Sequence, residues 1–292
     1  MPMSPRLLRP RQTIHPEAAD WANRVRTNGG SVSGTTLSAV DRFVKAIVAA
    51  GIRDRFYRLN LFAGNSDANL AAVRTPLFRG PSRTGTQFGN ATDTNVNFVQ
   101  GDYSATDGLT SAASPPKYLT TGLSPDTIGP ATGHLSVVVK GAASSAAALG
   151  IGSRSSGAAQ RYDLQTSNRN GFFLDGVLDF YSTGTWGASS TVIYQRTGDS
   201  TRPAGQYLVT RTSSSRADWY LNGVSVANST ASVTPGANPN EFYVCGINNN
   251  GTPFYHGVTT IRGYSLGLSM TGPQAAAFSS AFASLNAALG RA

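Results

Sequence analysis

Apolar residues recur along this chain in two different rhythms. In the first quarter they return every three or four positions, in EAADWANRVRTNGG (17–30) and again at Leu37, Val40, Phe43, Val44, Ile47 and Val48. That period is helical, because residues three and four apart share a face. Pro16 in the first turn, early acids, late arginines and the Asn28-Gly29-Gly30 terminator bound the first helix. Thr36 or Ser38 can cap the second, and Gly51 closes it. A further short helix or turn is expected in IRDRFYRLNLF, with Ile52, Phe56 and Leu59 on one side and the arginines Arg53, Arg55 and Arg58 on a solvated face. Two or three small helices are predicted for residues 16–75.

After Arg83 the rhythm changes. Gly, Ser, Thr and Asn become frequent, and short alternating runs follow one another: TNVNFVQG, PKYLTTG, HLSVVVKG, RYDLQTS, GFFLDG, LDFYSTG, TVIYQRTG, GQYLVTRTS, ADWYLNGVSVA, NEFYVCGI and VTTIRGYSLG. Alternation places successive side chains on opposite faces of a strand, and many short strands bounded by turn residues predict a mainly β jelly-roll sandwich. In ADWYLNGVSVANS, Trp219 and Leu221 share a core face, Asn222-Gly223 supplies a type I′ turn, and Val224 with Val226 begin the return strand. Past Met270, the helical spacing of Phe278, Phe282, Leu285 and Leu289 before Gly290 predicts one closing helix. Pro2, Pro5 and Pro10 break any helix at the start of the chain. The expected organisation is a basic extended arm over 1–15, a small helical attachment module over 16–83, and a sandwich over 84–292 that ends in a helix.

Charge sharpens this division. The chain of 292 residues has 24 Lys+Arg and 15 Asp+Glu, a net charge of +9. Residues 1–83 hold 13 of the bases and five of the acids, so nearly all the excess lies ahead of the strand-rich part. We read Arg6, Arg9, Arg11, Arg24 and Arg26 as candidates for docking on a protein partner. Direct nucleic-acid binding is disfavoured, since the arm is punctuated by proline and poor in the aromatic residues that stack bases. No apolar window is long enough for a membrane-spanning helix, and MPMSPRLLRPRQTIHP lacks the apolar segment of a secretory signal. A soluble protein is expected.

The strand series resembles the laminin-G-like, concanavalin-A-like jelly roll: PKYLTTGL ahead of HLSVVVKG, then GQYLVTRTSSSRADWYLNGVSVANS, then FYHGVTTIRGYSLGLSMTGPQAAAF. The resemblance covers roughly residues 95–292. Ahead of it, WANRVRTNGGSVSGTTLSAVDRFVKAIVAAGIRDRFYRLNLFAGN followed by VRTPLFRGP resembles a small helical module found before such sandwiches in virion structural proteins of tailed bacteriophages. What the two resemblances imply is a non-enzymatic virion component (capsid decoration, neck or collar, or tail and fibre protein). Such a component would dock on other virion proteins through its N-terminal part, form a homo-oligomer, and display the sandwich for protein or glycan contacts. The alternatives are a carbohydrate-binding module for host-surface glycans and, less favoured, a polysaccharide depolymerase.

Candidate chemistry is sparse. The jelly-roll glycosidases carry paired carboxylates in an ExDxxE pattern, absent here, where the two glutamates are Glu17 and Glu241. Asp175 and Asp179 in FFLDGVLDF are read as turn residues. There is no GxSxG, and His134 and His256 are read as strand-edge residues without a marked acid partner. Cys245 in FYVCGI is read as a buried small hydrophobe. GIGSRSSG lacks the ending of a phosphate loop. Some laminin-G-like domains hold calcium at a loop rim, for which only the scattered Asp93, Asp102 and Asp107 are available. No metal or cofactor is assigned. Trp186 in STGTWGASS is the candidate for a glycan or interface contact, whereas Trp219 is read as core and Trp21 as the anchor of the first helix.

Overall fold

The computed structural model describes residues 13–65, 69–129, 132–140, 149–155, 161–165, 204–230, 237–254 and 257–291. In chain order the elements begin with α1 (Pro16–Thr27), α2 (Gly34–Ala49), β1 (Phe56–Asn60), α3 (Leu70–Arg74), β2 (Thr94–Val96), β3 (Tyr103–Ser104) and β4 (Gly108–Thr110). They continue with β5 (Tyr118–Thr120), α4 (Pro125–Ile128), β6 (Gly133–Val139), β7 (Leu149–Arg154), β8 (Arg161–Gln165), β9 (Gly205–Ser213) and β10 (Arg216–Leu221). Last come β11 (Val224–Ser229), β12 (Tyr243–Val244), β13 (Ile247–Asn249), β14 (Thr252–Phe254), β15 (Thr260–Gly267) and α5 (Gly272–Ala288).

The strands form two sheets. The first runs β11-β10-β9-β6-β15-β4-β3, with β1 also paired to β15. The second runs β14-β13-β7-β12-β5-β2, with β8 on β7. The chain is therefore a mainly β, two-sheet sandwich with a helical module at its N-terminal end. Inward residues of the two sheets make one core, including Leu135, Val137, Ile151, Val209, Trp219, Val244 and Leu266. Cys245 lies in the same core, as expected.

A third layer covers the other side of the first sheet. Helices α1, α2 and α5 pack there in a second core that takes up the opposite residues of the same strands, Val138 of β6, Leu208 of β9 and Tyr220 of β10. Burial on both faces of β6 is why Val137, Val138 and Val139 follow one another without a polar break. The centre of this layer is aromatic: Phe43 of α2 stands edge-on to Phe278 and Phe282 of α5, and Phe56 of β1 meets Phe278 with centroids 4.9 Å apart. Trp21 anchors α1 as expected, buried and donating from Nε1 to the Thr75 carbonyl at 3.0 Å.

Local signals set the helix ends. Ser33 caps α2 through its hydroxyl on Thr36 N–H, and the backbone N–H of Thr271 reaches Gln274 Oε1 at the start of α5. The Asn222-Gly223 hairpin forms as expected, both residues having positive φ. Its tip rests on α5, where a Cβ on Gly223 would lie 2.8 Å from Ala276 Cα.

Two readings are corrected. The short turn expected in IRDRFYRLNLF forms over Arg53–Arg55 and leads at once into strand β1, but its arginine side is not a solvated face. The cause is tertiary, because β1 pairs antiparallel with β15 and is covered on both faces. Arg53 stacks on Phe78 and pairs with Glu17 at 2.8 Å, while Arg58 is wholly buried. His134 is not at a sheet edge either. It is buried in β6 between β9 and β15, 2.7 Å from the Leu268 carbonyl through Nδ1 and 2.9 Å from Ser265 Oγ through Nε2. A carbonyl only accepts, so Nδ1 carries the proton and the Ser265 hydroxyl donates to Nε2. Burial pushes this imidazole down to about 4.

Arg58 belongs to a sealed cluster that ties β1 to the loop before β2. Its Nε and Nη2 donate to Asp93 Oδ1 at 2.8 and 2.6 Å. The Tyr264 hydroxyl is 2.8 Å from both Asp93 oxygens, and Asn60 Nδ2 donates to Oδ2 at 2.7 Å. Arg58 and Asp93 are both 0% exposed. Burial alone would lower the guanidinium's proton affinity, but Asp93 and Tyr264 outweigh it and raise it above its ordinary value.

Candidate functional site on the second sheet

The two broad sides of the sandwich differ in chemistry. On the second sheet, Leu119, Val244 and Ile151 point into the core, which by alternation turns Tyr118, Thr120 and Tyr243 outward. Tyr243 pairs with Thr120 and stands diagonal to Tyr118. The two tyrosine rings stack with centroids 4.5 Å apart and planes 23° from parallel. Tyr118 is half-buried and Tyr243 is 7% exposed. Burial, then the neighbouring Tyr118 and Glu241, push the Tyr243 phenol up to about 12.

Amides and one carboxylate frame this platform. Glu241 Oε2 accepts from Gly122 N–H at 2.7 Å, and its carbonyl accepts from Asn248 Nδ2 at 2.9 Å. Asn240 Nδ2 donates to the Arg154 carbonyl, and Ser153 Oγ donates to the Asn240 carbonyl at 2.6 Å. Further along, the Arg154 guanidinium lies 5.5 Å from the centroid of the Phe254 ring. Asn249 and Thr252 are exposed at that end. The half-buried Tyr118 ring, backed by the buried Tyr243, can lie against an apolar face of a ligand, with polar groups of the same sheet around it.

The opposite side carries the basic helical layer. Arg24 donates from Nε to Asp20 at 2.8 Å and from Nη1 and Nη2 to the Pro76 and Leu77 carbonyls, so it clasps α1 to the following loop. Arg26 is exposed and donates to Asn23 Oδ1. Arg6, Arg9 and Arg11 lie outside the described residues, as do Trp186, Asp175, Asp179 and His256. The chain enters the described region beside α2, where Lys45 Nζ donates to the Thr13 carbonyl and Asp41 Oδ1 accepts from His15 N–H at 2.6 Å. Burial of Asp41 pulls its pKa upward, but the His15 N–H and Lys45 outweigh it, and the carboxyl sits below its ordinary value.

The scattered acids have structural partners. Asp93 is sealed by Arg58, Asp102 pairs with Lys117 at 2.5 Å and Asp107 with Lys140 at 2.6 Å. Asp126 Oδ1 accepts from Asn238 N–H, and Asp218 pairs with Arg216. Among the described residues, no group of three or more His, Cys, Asp or Glu is placed to hold a metal. Nor is any helix among them long and apolar enough to cross a membrane.

Sequence reasoning missed Tyr118 and Tyr243. Both stand beside core residues in PKYLTTG and NEFYVCGI, so the phase of the alternation carried the signal. Which phase faced inward became readable only with the pairing of β5 to β12.

No family model and no curated protein matches the chain. Among solved structures it is similar to domain 4 of AbnA, a GH43 extracellular arabinanase from Geobacillus stearothermophilus, in complex with arabinotriose. That match has 15% identity, covers 77% of this chain and 98% of that one, and has a TM-score of 0.40. It is also similar to the CBM40 of Ruminococcus gnavus IT-sialidase, at 12% identity over 61% of this chain and 92% of that one, TM-score 0.32. A Trypanosoma rangeli sialidase matches at 13% identity over 83% of this chain, TM-score 0.36. The chain spans only 26% and 38% of the length of two sialidases that it matches. The sandwich architecture given above rests on the chain's own strand pairing.

Proposed function

We propose that this chain is a non-enzymatic structural component of a tailed-phage virion, attached through its basic helical side and displaying the second sheet for contact with glycan or protein. One observation carries the reading: the two broad sides are built for different neighbours. One is sealed by α1, α2 and α5 and lies beside the arginine-rich first quarter of the chain. The other presents the stacked Tyr118 and Tyr243 with amides at the rim. The resemblance of residues 16–80 to the module that precedes sandwiches in virion proteins supports the attachment half. Homo-oligomers and neighbouring virion proteins are the expected partners.

The non-enzymatic part of the reading is supported by how the two glutamates are used. Glu17 is paired with Arg53, and Glu241 accepts a backbone N–H. A glycosidase needs one carboxyl held protonated and another ionised beside the same bond. The test has two arms. Removal of residues 1–12, ahead of the Lys45 contact with Thr13, should abolish incorporation into particles while leaving the fold intact. A glycan array with the full chain should show binding that Tyr118→Ala weakens about tenfold or more. Undiminished incorporation refutes the attachment half, and an array without binding refutes the glycan contact and leaves protein display.

A further inference from the structure

Four guanidiniums line the segment from Pro76 to Gly89, among them Arg53, whose Nη1 donates to the Gly80 carbonyl at 2.7 Å. Arg24 donates to the Pro76 and Leu77 carbonyls at 2.7 and 2.9 Å, Arg58 Nη1 to the Phe88 carbonyl at 3.3 Å, and Arg79 Nη2 to the Gly89 carbonyl at 3.2 Å. Three carboxylates serve this corner. Asp20 is taken by Arg24, Glu17 by Arg53 and Asp93 by Arg58. Arg79 has none of them.

Little holds Arg79 where it stands. Its bond to Gly89 is long, and its Nε is shut off from solvent without an acceptor. Burial, then the positive charges of Arg58 and Arg24, lower its proton affinity, and Asp20 and Asp93 do not restore it. A weakly tethered cation in an uncompensated positive field gains from an anion that reaches its exposed end. Four residues on, Arg83 stands exposed in a turn that the Gln87 side chain braces through the Ser82 and Gly85 carbonyls.

We propose that Arg79 anchors an oxyanion site on the helical side of the molecule, taking a carboxylate from an acidic peptide segment of a protein partner, with Arg83 as the second cation. The chemistry favours a peptide over a nucleic acid. Arg24, Arg53 and Arg58 are spent on carbonyls and carboxylates, so the corner offers one guanidinium fork, which suits one carboxylate. A phosphate backbone is held by many cations in series. The site deepens the attachment reading by naming the chemistry of one contact.

The test uses the isolated full chain, so the site can fail while particle incorporation succeeds, and the reverse. Arginine Nε–H resonances are followed by NMR at constant ionic strength during titration with hexaglutamate and, separately, with sodium sulfate. The exposed Arg42 serves as control. The expected result is a saturable shift of the Arg79 resonance with hexaglutamate, larger than that of Arg42. Binding should weaken about tenfold in Arg79→Gln and about fivefold in Arg79→Lys, which keeps the charge but not the fork. If Arg79→Gln fails to fold by circular dichroism, Arg79→Lys carries the comparison. Saturation by sulfate alone, a shift equal to that of Arg42, or unchanged affinity in the lysine variant overturns the proposal.

Discussion

Replacing Asp93 by Asn should be among the most damaging single changes available to this chain. Arg58 and Asp93 are both fully buried, and the carboxylate accepts from Arg58 Nε and Nη2, Asn60 Nδ2 and the Tyr264 hydroxyl. Asn keeps the shape but removes the charge, and its amide brings a donor to a place already crowded with donors. A buried guanidinium left without its counter-charge costs about 3–5 kcal/mol. With a urea slope of about 3 kcal/mol per M, the unfolding midpoint should fall by about 1–1.7 M. The double variant Arg58→Met, Asp93→Leu separates charge from packing, since removing both ions together costs far less than stranding one. Urea unfolding followed by tryptophan fluorescence reads both, because Trp21 and Trp219 sit in the two cores. A loss below about 1 kcal/mol for Asp93→Asn, or a double variant as weak as the single, would refute the account of this cluster.

Two further changes test the interior. Gln206 on β9 is 3% exposed, and neither its Oε1 nor its Nε2 finds a partner. Gln206→Met should therefore stabilise by about 1–3 kcal/mol, seen as a higher melting temperature, and a lower one would show that the amide has a partner after all. The His134 imidazole, ordinarily near 6.5, is held at about 4 in the fold. The unfolded chain takes up the proton first, so about 3 kcal/mol of stability should be present above pH 6.5 and lost as the pH falls toward 4. His134→Asn, which keeps a donor for the Leu268 carbonyl, should flatten the stability profile in that window. An unchanged slope would assign the pH dependence elsewhere.

The sequence made the regular parts of this fold readable and left the tertiary parts hidden. Helices α1, α2 and α5 follow from period, although α2 is capped by Ser33 and not by Thr36 or Ser38, and the β10–β11 hairpin follows from Asn222-Gly223. Arg58 is not where the sequence puts it because three arginines in RDRFYRLN have the local signature of a solvated face. Its counter-charge Asp93 is 35 residues away, in a segment whose pattern says nothing of pairing. His134 was misplaced for a related reason: a histidine opening a strand looks like an edge residue until Leu268 and Ser265, more than 130 positions later, are brought to its two nitrogens. Nor does composition announce that the helical layer and the first sheet share a core, since Val138, Leu208 and Tyr220 join α2 and α5 only through folding. Tyr118 and Tyr243 required the strand register, and Arg79 required knowledge of which nearby carboxylates were already taken.

The central claim concerns orientation: the helical side faces the particle and the second sheet faces outward. Electron cryo-microscopy of virions containing the full chain measures this directly. The account predicts density in which α1, α2 and the Arg79–Arg83 turn abut an acidic neighbour while the second sheet around Tyr118 remains open to solvent. Density with the Tyr118–Tyr243 face packed against the particle and the helices pointing outward would contradict it.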